Sequence, residues 1–94
     1  MSISFDQKVS VTPDTLINFI GGESVLLNLK TESYYGLDEV GTRMWTALTT
    51  SDSIRAAYRT LLDEYKVNAE VLQQDLQALL EKLIEQGLLS VGNG

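Results

Sequence analysis

The sequence predicts an α+β fold of winged-helix-like architecture, in which a three-stranded antiparallel sheet is followed by three helices. Two observations predict it. Between residues 15 and 37, short segments rich in β-branched and aromatic residues alternate with turn residues, which is typical of strands in a meander. Beyond residue 38, apolar residues recur at helical spacing in three segments, each preceded by a capping residue. Because the strands precede the helices, the α+β class follows.

The first two predicted strands form a hairpin. The segment TLINFI, Thr15–Ile20, is followed by Gly21 and Gly22, and a glycine pair supplies the positive φ angles of a two-residue turn. The second strand covers residues 23–30 and alternates in the manner of a sheet. One of its faces carries Val25, Leu27 and Leu29, and the other carries Ser24, Asn28 and Lys30.

The third predicted strand is Ser33–Leu37, which follows a short turn and completes the meander. Further upstream, Val9 and Val11 indicate a weak strand. Chain ends are commonly frayed, so we expect residues 1–6 to be frayed and residues 90–94 to form a tail. The predicted ordered core of the single domain, 1–94, is therefore about 7–90.

The first predicted helix covers residues 38–49 and begins at Asp38, whose side-chain oxygen can accept a free backbone N–H of the first turn. Gly41 lies inside this helix and costs about 1 kcal/mol relative to alanine. A close packing contact at Gly41 is therefore expected. The apolar residues at helical spacing are Val40, Met44, Ala47 and Leu48.

The other two helices have equally clear boundaries. The second begins at Asp52 or Ser53, and Asn68 caps the third. Gly87 ends the third helix, and Leu88 suits the hydrophobic contact of a glycine C-cap. The residues predicted to face the core are Ile54, Ala57, Tyr58, Leu61, Leu62 and Tyr65 in the second helix and Leu72, Leu76, Leu79, Leu80 and Leu83 in the third.

The composition excludes several kinds of site. The 94 residues contain no cysteine and no histidine, so disulfides, thiolate metal sites and the usual general base are ruled out. No metal or cofactor is predicted. Neither a signal peptide nor an apolar run long enough to cross a membrane is evident, so we expect a cytoplasmic location without membrane contact.

An enzymatic function is not predicted. No Ser-x-x-Lys or similar pair could replace histidine in activating a nucleophile. The carboxylates of the third helix are spaced as on a solvated helix face rather than as an acid–base pair. They are Glu70, Asp75, Glu81 and Glu85.

A winged-helix DNA-binding regulator is the alternative function for this fold. Such a protein places a basic helix in the major groove. Here the net charge is −6, and the third predicted helix has one cation, Lys82, against four acids. Nucleic acid is therefore not a predicted partner. A small structural subunit of an unrelated complex stays open as a third function.

Peptide binding is the function for which the sequence offers a specific place. The last strand of a three-stranded meander has one unpaired side, and Ser33–Leu37 contains neither the charge nor the proline that usually protects such an edge. An extended peptide could add there as a further strand. Alternatively, Tyr34 and Tyr35 are merely core and rim aromatics beside a short edge. The residues alone do not decide between the two.

One long motif resembles a known family. The segment GGESVLLNLKTESYYGLDEVGTRMW, a capped helix ending in EYKV and a leucine-rich helix ending in EQGLL resemble PqqD-like peptide-recognition domains, especially the stand-alone leader-binding proteins of lasso-peptide biosynthesis. The resemblance covers about residues 15–89. Its most specific part is VLLNL followed by YYGLDEVGTRMW.

The resemblance implies a non-catalytic protein that binds the leader segment of a ribosomally made precursor peptide. It implies strand addition to the third strand, in a groove beside the third helix, and delivery to a separate transglutaminase-like cysteine peptidase. The macrocyclase is a further possible partner. On this chain the implied strand is Ser33, Tyr34, Tyr35, Gly36 and Leu37. One face of the third helix at i, i+3, i+4 spacing supplies the candidate groove residues Val71, Gln74, Asp75, Ala78, Leu79 and Lys82.

Overall fold

The computed structural model describes residues 3–92 and contains two antiparallel sheets and three helices. The elements in chain order are β1 (Lys8–Val11), β2 (Thr15–Ile20), β3 (Glu23–Asn28), β4 (Ser33–Leu37), α1 (Glu39–Thr50), α2 (Ile54–Tyr65), α3 (Ala69–Glu85) and β5 (Leu89–Gly92). The predicted fold class is confirmed, since a three-stranded sheet in the order β2-β3-β4 precedes the three helices. Within residues 3–92 no helix is long and apolar enough to cross a bilayer.

The hairpin of β2 and β3 turns at the predicted glycines. Gly21 has a φ of 64°, in the left-handed region that a two-residue turn requires, and Ile20 pairs with Glu23 across the turn. β3 ends at Asn28, two residues earlier than predicted. Its carboxamide oxygen accepts the backbone N–H groups of Lys30 (3.0 Å) and Thr31 (3.3 Å), which turns the chain away from the sheet.

The second sheet joins the two ends of the described chain. β1 pairs with β5 in antiparallel register, with Val9 opposite Val91 and Val11 opposite Leu89. The prediction of a C-terminal tail from residue 90 is therefore wrong for residues 90–92, and residues 93 and 94 lie outside the described part.

The segment before β1 is also ordered, contrary to the prediction of frayed residues 1–6. The carbonyl oxygens of Phe5 and Gln7 accept the N–H groups of Arg55 (2.7 Å) and Ile54 (2.9 Å), in the first turn of α2. The Phe5 ring packs edge-on against Tyr58, with ring centroids 5.8 Å apart. Since those N–H groups have no partner within their own helix, the segment stabilises the start of α2. Residues 1 and 2 lie outside the described part.

Each helix begins at a predicted cap. Asp38 accepts from Gly41 N, Ser53 from Ala56 N, and Asn68 from the N–H groups of Glu70 and Val71. The predicted close contact at Gly41 is confirmed, since a Cβ there would lie 3.2 Å from Leu37 Cδ2 and 3.3 Å from Asp38 Oδ1. A side chain at this position would require the side chains of Leu37 and Asp38 to shift by a few tenths of an ångström.

The chain leaves α3 at Gly87, as the sequence predicts. The N–H of Leu88 donates to the carbonyl of Leu83 (2.9 Å), and that of Gly87 donates to Ile84 (3.0 Å). This is the Schellman arrangement, in which a residue with positive φ reverses the chain. Gly87 has a φ of 73°. The reversal sends Leu88 and Leu89 back into the core and starts β5.

A hydrophobic core lies between the helices and the inner face of the three-stranded sheet. Buried members from α2 and α3 include Ile54, Ala57, Leu61, Leu72, Leu76, Leu80 and Leu83, in agreement with prediction. Leu79, Tyr58 and Leu62 pack only partly against the core, and Val40 is exposed. The prediction that Tyr65 faces the core is wrong, because this residue is 38% exposed at the end of α2.

Candidate functional site

β4 is the last strand of its sheet, and within residues 3–92 no strand pairs with the edge of β4 that faces away from β3. The hydrogen-bonding pattern of the β2-β3 hairpin determines which N–H and C=O groups of β4 point to this open edge. Ile20 and Glu23 are residues i and i+3 of the turn and form a hydrogen-bonded pair. Hydrogen-bonded and non-hydrogen-bonded pairs alternate along an antiparallel ladder, so every second residue of β3 from Glu23 bonds to β2. Leu29 continues this phase, because its N–H donates to Asp14 O at 2.8 Å.

The remaining residues of β3, which are Ser24, Leu26 and Asn28, therefore form their backbone hydrogen bonds with β4. Their partners in the register are Leu37, Tyr35 and Ser33. The intervening residues, Tyr34 and Gly36, direct both N–H and C=O away from the sheet. The open edge thus presents two evenly spaced donor–acceptor pairs, which is what an added peptide strand requires.

The side chains of β4 alternate between two faces. Leu37 is buried in the core and Tyr35 packs partly against it, so both lie on the inner face. Tyr34 lies on the outer face and is 78% exposed. The two tyrosines, which sequence reasoning could not distinguish, therefore have different environments.

The predicted face of α3 is accessible. Val71, Gln74, Asp75, Ala78 and Lys82 are exposed, and Leu79 is half-buried. Among the described residues, no side-chain hydrogen bond or ion pair connects these six to β4.

One contact fixes where α3 meets the sheet. The amide of Asn28 donates to the carbonyl of Gln86 (3.0 Å), and Asn28 lies opposite Ser33, so the C-terminal end of α3 lies near the start of β4. At 1.5 Å per residue, Lys82 lies about 6 Å from Gln86 along the helix axis, and Val71 about 22 Å. The C-terminal candidates are therefore nearer to this end of β4 than Val71 is.

The outer face of the three-stranded sheet is apolar and exposed, which the sequence analysis did not identify. Leu16 is 55% exposed, and Val25 and Leu27 are half-buried. A cleft of about 480 Å³ on this face is lined by Leu16, Ile17, Asn18, Val25, Leu27 and Tyr34.

The polar face of β3 is the buried one. Ser24 lies 2.8 Å, hydroxyl to hydroxyl, from Thr42, and Asn28 bonds to the end of α3. Because these hydrogen bonds satisfy the buried polar groups, Ser24 and Asn28 face the core beside Leu26, while Val25 and Leu27 face outward. A clue in the sequence was that Ser24 and Asn28 share a face with Leu26.

The charged groups of the described chain include one close ion pair between two helices. Arg43 of α1 and Glu64 of α2 form a two-pronged ion pair at 2.8 Å. The hydrogen bond between them raises the pKa of Arg43 and lowers the pKa of Glu64. Within residues 3–92 there is no group of three or more acidic side chains that could hold a metal ion.

Comparison with known proteins gives one family and two similar structures. The family described as coenzyme PQQ synthesis protein D (PqqD) matches residues 23–89. A structure of TbiB1 in complex with the TbiA(beta) leader peptide is 31% identical, with a TM-score of 0.79 over 85% of this chain and 93% of that one. A lasso peptide synthetase B1 complexed with the leader peptide is 22% identical, with a TM-score of 0.79 over 88% of this chain and 98% of that one, and shows the same fold.

A search of curated protein sequences finds no significant match. The matched family segment runs from the start of β3 through all three helices to the start of β5, and so includes the open edge strand. The family resemblance predicted from the sequence is confirmed, and the chain belongs to the PqqD family.

Proposed function

We propose that this protein binds the leader segment of a ribosomally made precursor peptide and delivers it to a separate leader peptidase in lasso-peptide maturation. The observation that carries the proposal is the open edge of β4, where the backbone groups of Tyr34 and Gly36 point outward. The two similar structures support it, because both are complexes with a leader peptide. This function belongs where ribosomes make the precursor, in the cytoplasm.

In this proposal the leader adds to β4 as a fourth strand. Leader residues opposite Tyr34 and Gly36 would exchange backbone hydrogen bonds with them and turn their side chains to the outer face. The residue between them would turn inward, beside Tyr35 and toward the exposed face of α3. The groove would be completed by Val71, Gln74, Asp75, Ala78, Leu79 and Lys82.

Substitution of Asp75 tests which face of α3 lines the groove. If its carboxylate pairs with a leader cation or accepts a leader N–H, the partly desolvated contact is worth roughly 1.5–3 kcal/mol. Asp75→Asn should then weaken leader binding about ten- to a hundredfold. Because Asp75 is exposed, the melting temperature should barely change. Fluorescence anisotropy with a labelled synthetic leader peptide measures the affinity.

The matched control is Asp63→Asn, which removes one exposed charge from α2, a helix that contributes no residue to the proposed groove. A similar loss of affinity in both variants would reveal only a diffuse charge effect. That outcome would place the groove on another face of α3.

Delivery to a peptidase requires a second surface, and the outer face of the sheet is suited to it. This face is apolar, and a leader strand on β4 would continue it directly beside Tyr34. We assign the peptidase to this face because a peptidase docking there would contact both this protein and the leader bound to it. Exposed apolar patches of this kind commonly mark protein interfaces.

Leu16→Ser tests this surface, since Leu16 lies on β2, at the far side of the sheet from the leader. Burial of a leucine is worth roughly 1.5–3 kcal/mol. The concentration of the leader-binding protein that gives half the maximal peptidase rate should therefore rise about ten- to a hundredfold. Its affinity for the leader should stay unchanged. Val67→Ser changes a residue exposed to 46% outside the sheet and is the control. Equal effects of both changes, or none, would contradict the assignment.

The protein is proposed to act without catalysis. In the same assay, a reaction that lacks the peptidase should leave the precursor intact. The DNA-binding alternative gains no support from the structure, since α3 carries Lys82 alone against four acids. A mobility-shift assay with random duplex DNA should show no complex. We also propose the macrocyclase as a further partner.

A further inference from the structure

β2 forms a second open edge of the three-stranded sheet, on the side opposite to β4. Within residues 3–92 no strand pairs with this edge. By the hydrogen-bonding pattern of the hairpin, Ile17 and Phe19 direct their N–H and C=O groups to it. Among the described residues, neither takes part in a backbone hydrogen bond of a turn, loop or cap. β2 therefore presents two donor–acceptor pairs to a further strand.

This edge lacks the features that usually keep an open strand from pairing. Such strands are commonly very short, or carry charges, prolines or bulges. β2 has 6 residues, all in regular register with β3, and its sequence TLINFI contains no charge and no proline. Leu16, Phe19 and Ile20 are each more than half exposed. An apolar, uncharged edge of this kind has the composition of a strand that pairs with another chain.

The residues of β2 form matched pairs when two copies of the strand run antiparallel. Ile17 of each copy then exchanges both backbone hydrogen bonds with Phe19 of the other, and these side chains share the inner face. On the outer face, Leu16 of each copy lies opposite Ile20 of the other. Because no charged residue belongs to these pairs, two chains with a net charge of −6 each meet here without opposed like charges.

Asn18 indicates where the two-fold axis of this pairing lies. It is the polar residue between Leu16 and Ile20 in the outer-face row of β2. In the pairing described, Asn18 lies directly opposite Asn18 of the second copy, with the two Cα atoms about 4.5 Å apart. Two carboxamides can exchange hydrogen bonds, because each carries donors and an acceptor. Moving the axis by one residue would place Asn18 opposite Leu16 or Ile20, without a polar partner.

We propose that two copies of this protein associate through β2 into a symmetric dimer with one six-stranded sheet, in the order β4-β3-β2-β2-β3-β4. A second copy fits this edge because the edge is complementary to itself in hydrogen bonds, side chains and charge. One short strand from each copy makes a small interface, and interfaces below about 1,200 Å² are typically transient. Monomer and dimer are therefore both populated. Dimerisation does not depend on the leader, since both β4 strands lie at the outer edges and stay open.

Opposite charges placed at Asn18 test this dimer. In sedimentation velocity, the sedimentation coefficient of the wild type should rise with concentration from that of a monomer toward that of a dimer. Asn18→Asp and Asn18→Lys each bring like charges face to face on the axis, which should weaken dimerisation at least about tenfold. An equimolar mixture of the two variants should associate again, because an aspartate then faces a lysine. Asn18 is exposed, and circular dichroism checks that both variants are folded.

The control places the same charges at Gln73, an exposed residue of α3. Gln73→Glu and Gln73→Lys should dimerise like the wild type. A wild type that is monomeric at every concentration would overturn the proposal. So would a dimer that Asn18→Asp leaves intact, or a mixture of the Asn18 variants that stays monomeric.

Amide hydrogen exchange distinguishes a second copy from another occupant of the edge. In the protein alone, protection at the N–H groups of Ile17 and Phe19 should increase with concentration. Protection that appears only when the peptidase is added would mean that β2 pairs with a strand of the peptidase, and would overturn the dimer. Each of these outcomes leaves the proposed leader binding at β4 unaffected, because they are measured without the leader.

Discussion

Replacement of Gly36 by proline should weaken leader binding by about 30- to 700-fold and leave the protein folded. Proline removes the N–H that points to the ligand, and the partner carbonyl of the leader is left unpaired. The lost hydrogen bond and the unsatisfied carbonyl together cost roughly 2–4 kcal/mol, which gives the stated range. Because the lost N–H points away from β3, the sheet keeps its own hydrogen bonds, and edge strands accept proline in that orientation.

Two variants at the same strand separate binding from folding. Gly36→Ala keeps the N–H and places its methyl group in open space, so it should retain backbone pairing with the leader. Tyr35→Pro removes an N–H that bonds to Leu26 of β3, so it should lower the melting temperature as well as the affinity. If Gly36→Pro binds the leader normally while Tyr35→Pro does not fold, the ligand does not pair with β4.

Leu89→Ala should be the most damaging of these changes for stability. Leu89 is 2% exposed, and it belongs to the hydrophobic core although it lies on β5 near the end of the chain. Truncation of a buried leucine to alanine costs about 2–5 kcal/mol, against a typical total of about 5–15 kcal/mol. For a chain of this size we expect the melting temperature to fall by roughly 10–30 °C.

The matched control is Val11→Ala on the paired strand. Val11 lies directly opposite Leu89 in the register but is 44% exposed, so its truncation should change stability by less than about 1 kcal/mol. Urea denaturation followed by circular dichroism compares the two. Similar small effects in both variants would mean that β5 does not contribute to the cooperative core.

The helices could be predicted because their signals are local. Asp38, Ser53 and Asn68 each bond to N–H groups two or three residues away, so the residue and its effect lie within one window of sequence. Gly87 with Leu88 is likewise a local signal. The hairpin and the position of Ser33–Leu37 at the sheet edge followed from the turn glycines and the order of strands.

Pairings between distant segments could not be predicted. Residues 90–92 form a short segment of serine, valine and glycine, and their strand forms only because α3 reverses at Gly87 and brings them beside β1. The burial of Ser24 and Asn28 depends on Thr42 and on the carbonyl of Gln86, and neither is near in sequence. Both hydrogen bonds exist only after the helices pack on the sheet, so the exposed outer face was missed.

The most direct test of strand addition is amide hydrogen exchange, followed residue by residue by NMR with and without the leader peptide. Addition of the leader should slow exchange at the N–H groups of Tyr34 and Gly36, which point to the ligand. Exchange should stay unchanged at Ile17 and Phe19, which by the same hairpin phase point to the opposite edge of the sheet. Protection of Ile17 and Phe19, with none at Tyr34 and Gly36, would place the leader on β2 and contradict the proposal.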